Sequence, residues 1–132
     1  MSHRPRGRLI RSVYALCLLG ATSNHIRAIA DYGWLPEHLP LGSAIYSTSL
    51  TFIDPLVAAL LFLRPRLGIA LTAVVIGTNV PHNLLLTAAY VAPGKFLDVV
   101  LSSFMLLSQV VFLVFVALTA PTAWRDAGDR SS

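Results

Sequence analysis

The sequence of 132 residues has room for one domain, and we predict a single domain over residues 1–132. Hydrophobic residues make up 55% and charged residues 12%, whereas a soluble domain carries about 25% charged residues. This composition argues against a soluble globular protein and favours a membrane protein. The net charge is +4, but the basic residues lie between hydrophobic segments without interleaved aromatic residues, so no nucleic-acid partner is expected. Cys17 is the only cysteine, which rules out a disulfide within the chain.

Four hydrophobic segments follow one another, and each is long enough to cross a lipid bilayer, which takes about 20 mostly apolar residues. They predict an all-α integral membrane protein, folded as a four-transmembrane-helix bundle. The predicted spans cover about residues 9–29, 42–63, 68–92 and 96–120. The short connection Arg64-Pro65-Arg66 makes the second and third spans antiparallel neighbours. Pro81 lies near the middle of the third span and predicts a kink in that helix.

The first segment has a second interpretation, because its purely apolar stretch covers only Val13–Ala21. A basic region, a short apolar stretch and the tripeptide Ala28-Ile29-Ala30 together resemble a cleavable secretory signal. Residues Thr22–Ala30 would form the polar region between the apolar stretch and the cleavage site. This region is long for a secretory signal, however, and it contains His25 and Arg27. We therefore favour a retained first span over a cleaved one.

The distribution of Lys and Arg predicts how the four spans are oriented. Eight of the ten lie on one side of the predicted spans: Arg4, Arg6, Arg8, Arg11, Arg64, Arg66, Arg125 and Arg130. Only Arg27 and Lys95 lie on the other side. Because cytoplasmic loops carry the excess of basic residues, both termini are expected in the cytoplasm. The expected location is the inner (plasma) membrane of a bacterium.

Two ionisable residues within the predicted spans, Asp54 and His82, are the candidate catalytic pair. Ionisable side chains at membrane depth are rare and mark functional sites by default. A carboxyl group there can hold or release a proton, and a histidine can carry it. A structural alternative remains for each residue. Asp54 precedes Pro55 and can serve the disturbed backbone or pair with a histidine, and His82 lies in the stretch that Pro81 disturbs.

Further polar residues recur at three- and four-residue steps, so each predicted helix carries a polar face. The candidate ligand-binding residues are Asn24, His25, Thr51, Asn79, Asn83, Ser102 and Gln109. With a helical rise of about 1.5 Å per residue, the polar groups concentrate at the midplane and in the outer half, which predicts a pocket that opens outward or sideways into the outer leaflet. The amides can equally form interhelical hydrogen bonds, worth about 0.6 kcal/mol each. A metal or haem site built from His25, His82 and Asp54 is conceivable, but no metal-binding spacing motif supports it, and the sequence leaves the cofactor unknown.

These patterns support three hypotheses for the function. The leading one is a small intramembrane protein that binds a lipophilic molecule (a lipid, an isoprenoid or a quinone) or acts on it by acid–base chemistry. The second is a proton- or cation-coupled transporter, which would need a homo-oligomer to enclose a path. The third is a structural or accessory subunit, whose polar faces hold its own helices together or grip a membrane-protein partner. Whether any reaction is catalysed is left open by the sequence.

In size and number of predicted spans, the chain is similar to two groups of small four-helix membrane proteins. These are the DoxX-like proteins and the sterol-isomerase-related proteins, the second of which hold a hydrophobic ligand within their helices. That second group favours acidic and histidine residues on inner helical faces, as expected here for Asp54 and His82. The similarity is one of architecture, so no site residue is taken from it.

Overall fold

The computed structural model describes residues 3–35, 37 and 39–131. Within this part the chain forms five helices and no strands, which confirms the prediction of an all-α protein. The helices are α1 (His3–Tyr32), α2 (Leu41–Leu63), α3 (Pro65–Tyr90), α4 (Phe96–Ser102) and α5 (Phe104–Ser131). The helix α3 runs through Pro81 without interruption. A kink at that proline stays a prediction.

Three of the described helices are long and apolar enough to cross a membrane, which indicates a membrane protein. They are Leu41–Leu63, Pro65–Tyr90 and Phe104–Gly128. Large apolar side chains lie on their outer surfaces, as expected for helices in contact with lipid. Examples are Leu56, Leu63, Leu85, Val111 and Leu118. The helix α1, which carries several arginines, is not among the three.

The four long helices pack as a closed ring in the order α1, α2, α3, α5. Each helix contacts both neighbours in this ring, and the short α4 packs on α5 and α3. The side chains that fill the centre come from all four long helices. They include Tyr14, Leu18, Leu50, Val57, Leu61, Ile69, Val80, Phe112 and Val116. Tyr14 is anchored there by its hydroxyl, which lies 2.6 Å from Thr119 Oγ1.

Only Arg64 separates α2 from α3, so the two helices form a tight antiparallel hairpin. Pro65 occupies the first turn of α3, where its missing N–H costs no hydrogen bond. The same proline cannot donate to the Leu61 carbonyl four residues earlier. Arg11 of α1 does so instead, with Nη1 donating to Leu61 O at 2.7 Å. A buried arginine thereby ties α1 to the α2–α3 hairpin, since Arg11 is only 2% exposed.

The two ends of the chain meet at the end of the bundle where α2 turns into α3. Arg6 Nε lies 3.5 Å from Asp126 Oδ2, and Asp126 is buried against Gly7 of α1. Arg66 lies over the Trp124 ring at 4.9 Å, and its Nε donates to Trp124 O at 3.2 Å. These contacts extend both terminal helices beyond the predicted spans. Accordingly α1 begins at His3 rather than near residue 9, and α5 continues to Ser131 rather than ending near residue 120.

The predicted fourth segment, about 96–120, is divided in the structure by a break at Ser103. The backbone of Ser103 is extended (φ −89°, ψ 112°), so it belongs neither to α4 nor to α5. Its Oγ accepts a hydrogen bond from the Leu106 N–H at 3.2 Å, which is the arrangement of a serine that caps a helix N-terminus. The apolar helix long enough to cross a membrane therefore starts at Phe104 and not at Phe96.

Candidate functional site

The most unusual polar group in the bundle is the carboxylate of Asp54, near the middle of α2. Asp54 is 1% exposed. Among the described residues, neither of its oxygens accepts a hydrogen bond. Its nearest ionisable partner is His25 of α1, whose Nε2 lies 3.5 Å from Oδ2. A buried carboxylate with so little compensation costs stability, which is why groups of this kind point to function.

The histidine that contacts Asp54 is His25. The sequence had suggested His82 as its partner. The side chain of His25 is 17% exposed, so it reaches the edge of the bundle, whereas Asp54 does not. Because α1 and α2 are direct neighbours in the ring, the contact is set by how these two helices are rotated against each other.

His82 lies in a separate network close to the start of α2. Its Nε2 is 2.9 Å from Ser43 Oγ, and its Nδ1 is 3.4 Å from Asn83 Oδ1. The Tyr46 ring packs edge-on against the imidazole, with 4.9 Å between ring centroids. Both ring nitrogens thus contact neutral groups, and this histidine holds α3 to α2.

The amides on α3 and α5 form a second part of the same network. Asn83 Nδ2 donates to Gln109 Oε1 at 2.8 Å and lies 3.3 Å from Asn79 Oδ1. Asn79 is buried, and Asn83 and Gln109 are half-buried. The hydrogen bond from Asn83 to Gln109 joins α3 to its neighbour α5. The structure therefore brings together Asn79, Asn83, His82 and Gln109, which the sequence placed on inner helical faces.

Two cavities lie on either side of the His25–Asp54 contact. The first, of about 230 Å³, is bordered by the end of α1 and the connection to α2, and we call it the loop-side cavity. Its polar lining comes from Asn24, His25, Tyr32, Ser47, Thr48, Asn83 and Gln109. The second, of about 330 Å³, has Asp54 in its wall, and we call it the Asp54 cavity. Its polar lining comes from Cys17, Asn24, Asp54, Asn79, Ser108 and Gln109.

The two cavities share Ala21, Asn24 and Gln109 as a common wall. His25 lines only the loop-side cavity, and Asp54 lines only the Asp54 cavity. The ionisable contact therefore connects two compartments. A carboxylate that lacks hydrogen-bond donors faces a space large enough for a small-molecule head group, since ligand pockets measure about 300–1,000 Å³.

Thr51 and Ser102 are the two candidate ligand-binding residues that line neither cavity, and His82 of the candidate catalytic pair also lines neither. Thr51 lies one turn before Asp54, and its hydroxyl is buried without a hydrogen-bond partner among the described residues. Ser102 is exposed at the end of α4, and its hydroxyl donates to Val99 O at 3.2 Å. The break at Ser103 removes Ser102 from the helix that carries Gln109, so the inner face expected for a continuous span is interrupted.

Several residues of the site escaped sequence reasoning. Ser43 continues the α2 stripe of Ser47, Thr51 and Asp54 at four-residue spacing, so a signal for it existed. Phe104 and Phe112 also line the Asp54 cavity. They are ordinary apolar residues of a span, and nothing in the sequence distinguishes them from lipid-facing neighbours.

The described residues contain no group of three or more His, Cys, Asp or Glu that could hold a metal ion. Comparison of the chain with protein-family models, curated proteins and solved structures gives no match.

Proposed function

We propose that this membrane protein binds a lipophilic small molecule through a hydrogen-bond-donating head group at Asp54. The observation that carries the proposal is the Asp54 carboxylate, which is 1% exposed and lines a cavity with no donor to either oxygen among the described residues. Leaving a buried acceptor unpaired costs about 1–3 kcal/mol, and more if it is charged. A ligand hydroxyl in the Asp54 cavity would remove this cost.

The ligand class follows from the lining. A hydroxyl of a lipid, of an isoprenoid alcohol or of a reduced quinone can donate to the carboxylate. Asn24, Asn79 and Gln109 offer amide groups around the same space. If a reaction occurs, the His25–Asp54 contact suits acid–base chemistry, because it places an imidazole beside a carboxyl group. In this proposal Asp54 and His25 form the ionisable pair, and His82 positions α2 against α3.

The test is what copurifies with the protein. Wild type and Asp54→Asn are purified in the same detergent, and their organic extracts are compared by mass spectrometry. We expect a hydroxyl-bearing lipophilic compound that is enriched in the wild type and depleted in the variant. Equal amounts of every lipophilic compound in the two extracts would contradict the proposal.

A second prediction separates the two histidines. We expect His25→Phe to weaken retention of the copurified compound by roughly tenfold, because His25 positions the Asp54 carboxylate and a displaced carboxylate loses its charge-assisted hydrogen bond to the head group, worth about 1.5 kcal/mol. His82→Phe should leave retention within about twofold, since such a small change lies below 0.5 kcal/mol. The same mass-spectrometric comparison measures both variants. The reverse order of the two effects would restore His82 as the partner of Asp54.

We also propose that α1 is a fourth span and that both termini are cytoplasmic in a bacterial inner membrane. Arg6, Arg11, Arg64 and Arg66 lie at the end of the bundle where α2 turns into α3, and Lys95 lies at the opposite end. The side chains of Arg4 and Arg130 are outside the part that the structure describes. A retained α1 is favoured because it supplies His25 to Asp54 and Arg11 to the Leu61 carbonyl.

The orientation is tested with single cysteines, for which the chain offers a simple background, since Cys17 is its only cysteine. In Cys17→Ala, the exposed residues Arg64 and Lys95 are each replaced by cysteine. A membrane-impermeant maleimide added to intact spheroplasts is expected to label Lys95→Cys and to label Arg64→Cys only after lysis. Labelling of Arg64→Cys in intact spheroplasts would contradict the proposed orientation.

A further inference from the structure

A third cavity lies on the outer surface of the bundle, along the seam between α1 and α5. It measures about 520 Å³, and we call it the apolar groove. Its lining residues are Val13 and Cys17 of α1 and Phe104, Leu107, Ser108, Val111, Phe112 and Phe115 of α5. Phe104 and Val111 are 87% and 61% exposed, so the groove is open at the surface that would face lipid.

The groove lies next to the Asp54 cavity. Both are lined by Cys17, Phe104, Ser108 and Phe112, so these four side chains stand between the two spaces. Phe104 is the first residue of α5, directly after the break at Ser103. A molecule that reaches Asp54 from this side passes between α1 and α5 and does not cross the loops.

The two spaces differ in polarity. The Asp54 cavity has a carboxylate and three amides in its wall. The groove has one hydroxyl, which Ser108 donates to Met105 O at 2.9 Å, and otherwise hydrocarbon, aromatic rings and the Cys17 thiol. An apolar chain therefore fits the groove, while its polar end fits the cavity beyond it.

We propose that the ligand is a neutral single-chain lipophilic alcohol, with its hydroxyl at Asp54 and its chain in the apolar groove, entering sideways from the bilayer between α1 and α5. This inference rests on the proposed function. It excludes an anionic phosphate head group, because such a group would face the Asp54 carboxylate with His25 as the nearest group able to offset it.

The native Cys17 thiol provides the test, because it lines the groove and is exposed. The protein is reconstituted in phosphatidylcholine vesicles, and Cys17 is labelled with a membrane-permeant maleimide in the presence of farnesol. At about ten times its dissociation constant, farnesol should slow labelling about tenfold by mass action. Farnesyl methyl ether, which has the same chain but no hydroxyl proton, should protect far less.

A matched control is the double variant Cys17→Ala, Ser102→Cys, whose single thiol is at an exposed position that lines none of the three cavities. Farnesol should not change its labelling rate. Equal protection of Cys17 by farnesol and by its methyl ether would overturn the inference, because it would reflect partitioning of any apolar chain.

A second variant blocks the groove without touching the Asp54 cavity. Val13 lines only the groove, so Val13→Trp should weaken farnesol binding, whereas Val74→Trp on an exposed face of α3 should not. If tritiated farnesol binding is lost in Asp54→Asn and yet is unchanged in Val13→Trp, the placement of the chain in the groove is overturned, and the proposed function still stands. Binding that is unchanged by Asp54→Asn would overturn both.

Discussion

Replacement of Asp54 by leucine is expected to weaken binding of the proposed ligand strongly and to stabilise the protein at the same time. A hydrogen bond to a charged group contributes about 1.5–3 kcal/mol, so its loss weakens binding by roughly tenfold to a hundredfold. The stability gain has a separate cause. Neither oxygen of the buried Asp54 accepts a hydrogen bond among the described residues, which costs about 1–3 kcal/mol, and leucine removes that cost while the partly exposed His25 stays within reach of solvent.

Both effects are measured on the same purified protein, binding with tritiated farnesol and stability by thermal unfolding in detergent. Asp54→Asn keeps the shape of the side chain and removes its charge, so it separates the effect of the charge on binding and stability from the effect of side-chain shape. Asp98→Leu is the matched control, since Asp98 is an exposed aspartate at the start of α4 and lines none of the cavities. If Asp54→Leu is less stable than the wild type, the carboxylate stabilises the fold. The expectation that it lowers stability in exchange for ligand binding would then be wrong.

Gly68→Ala is expected to be the most destabilising single substitution at the α2–α3 hairpin. A Cβ at residue 68 would lie 2.5 Å from the Leu61 nitrogen and 2.6 Å from the Leu61 Cα. These are backbone atoms of the opposite helix, so no side-chain rotation relieves the clash. Because Arg64 alone connects the two helices, they cannot separate locally, and we expect a loss of about 1–3 kcal/mol or more.

Gly77→Ala is the control for this prediction. It lies on the same helix, and a Cβ there meets no atom within 4 Å. Alanine should therefore be neutral or stabilise α3 by up to about 1 kcal/mol through helix propensity. Unfolding of the two variants in detergent is followed by circular dichroism. Equal stabilities would mean that the hairpin opens more easily than its geometry indicates.

The hydrophobic pattern was sufficient to predict the helices but not where each one ends. The prediction that α2 and α3 are hydrophobic helices joined at Arg64 is confirmed, because two long apolar runs and a charged, proline-containing turn leave few alternatives. The break at Ser103 was missed, since serine is common inside helices and no glycine or proline marks the position. The last turns of α5 were not predicted, because an aspartate such as Asp126 near the end of a chain is usually exposed to solvent. In the structure Asp126 is paired with Arg6 of α1, and no local pattern indicates this contact.

In the candidate site, too, the features that depend on one helix were predicted, and the contacts that depend on two helices were not. Periodicity placed Asn79, Asn83 and Gln109 on inner faces, and the structure joins them. It did not identify which histidine meets Asp54, because that depends on the rotation of α1 against α2. Helix rotation is set by packing of side chains such as Tyr14, Leu18 and Val57 in the common core, and such packing is not encoded in any one segment.

The division of the site by the His25–Asp54 contact has a consequence for hydration. The imidazole borders the compartment near the α1–α2 connection, and the carboxylate borders the compartment next to the groove. Water that enters the compartment near the α1–α2 connection therefore meets the imidazole before it can reach the carboxylate. In the proposed arrangement, the His25–Asp54 contact would stand between that water and the head group of a bound alcohol.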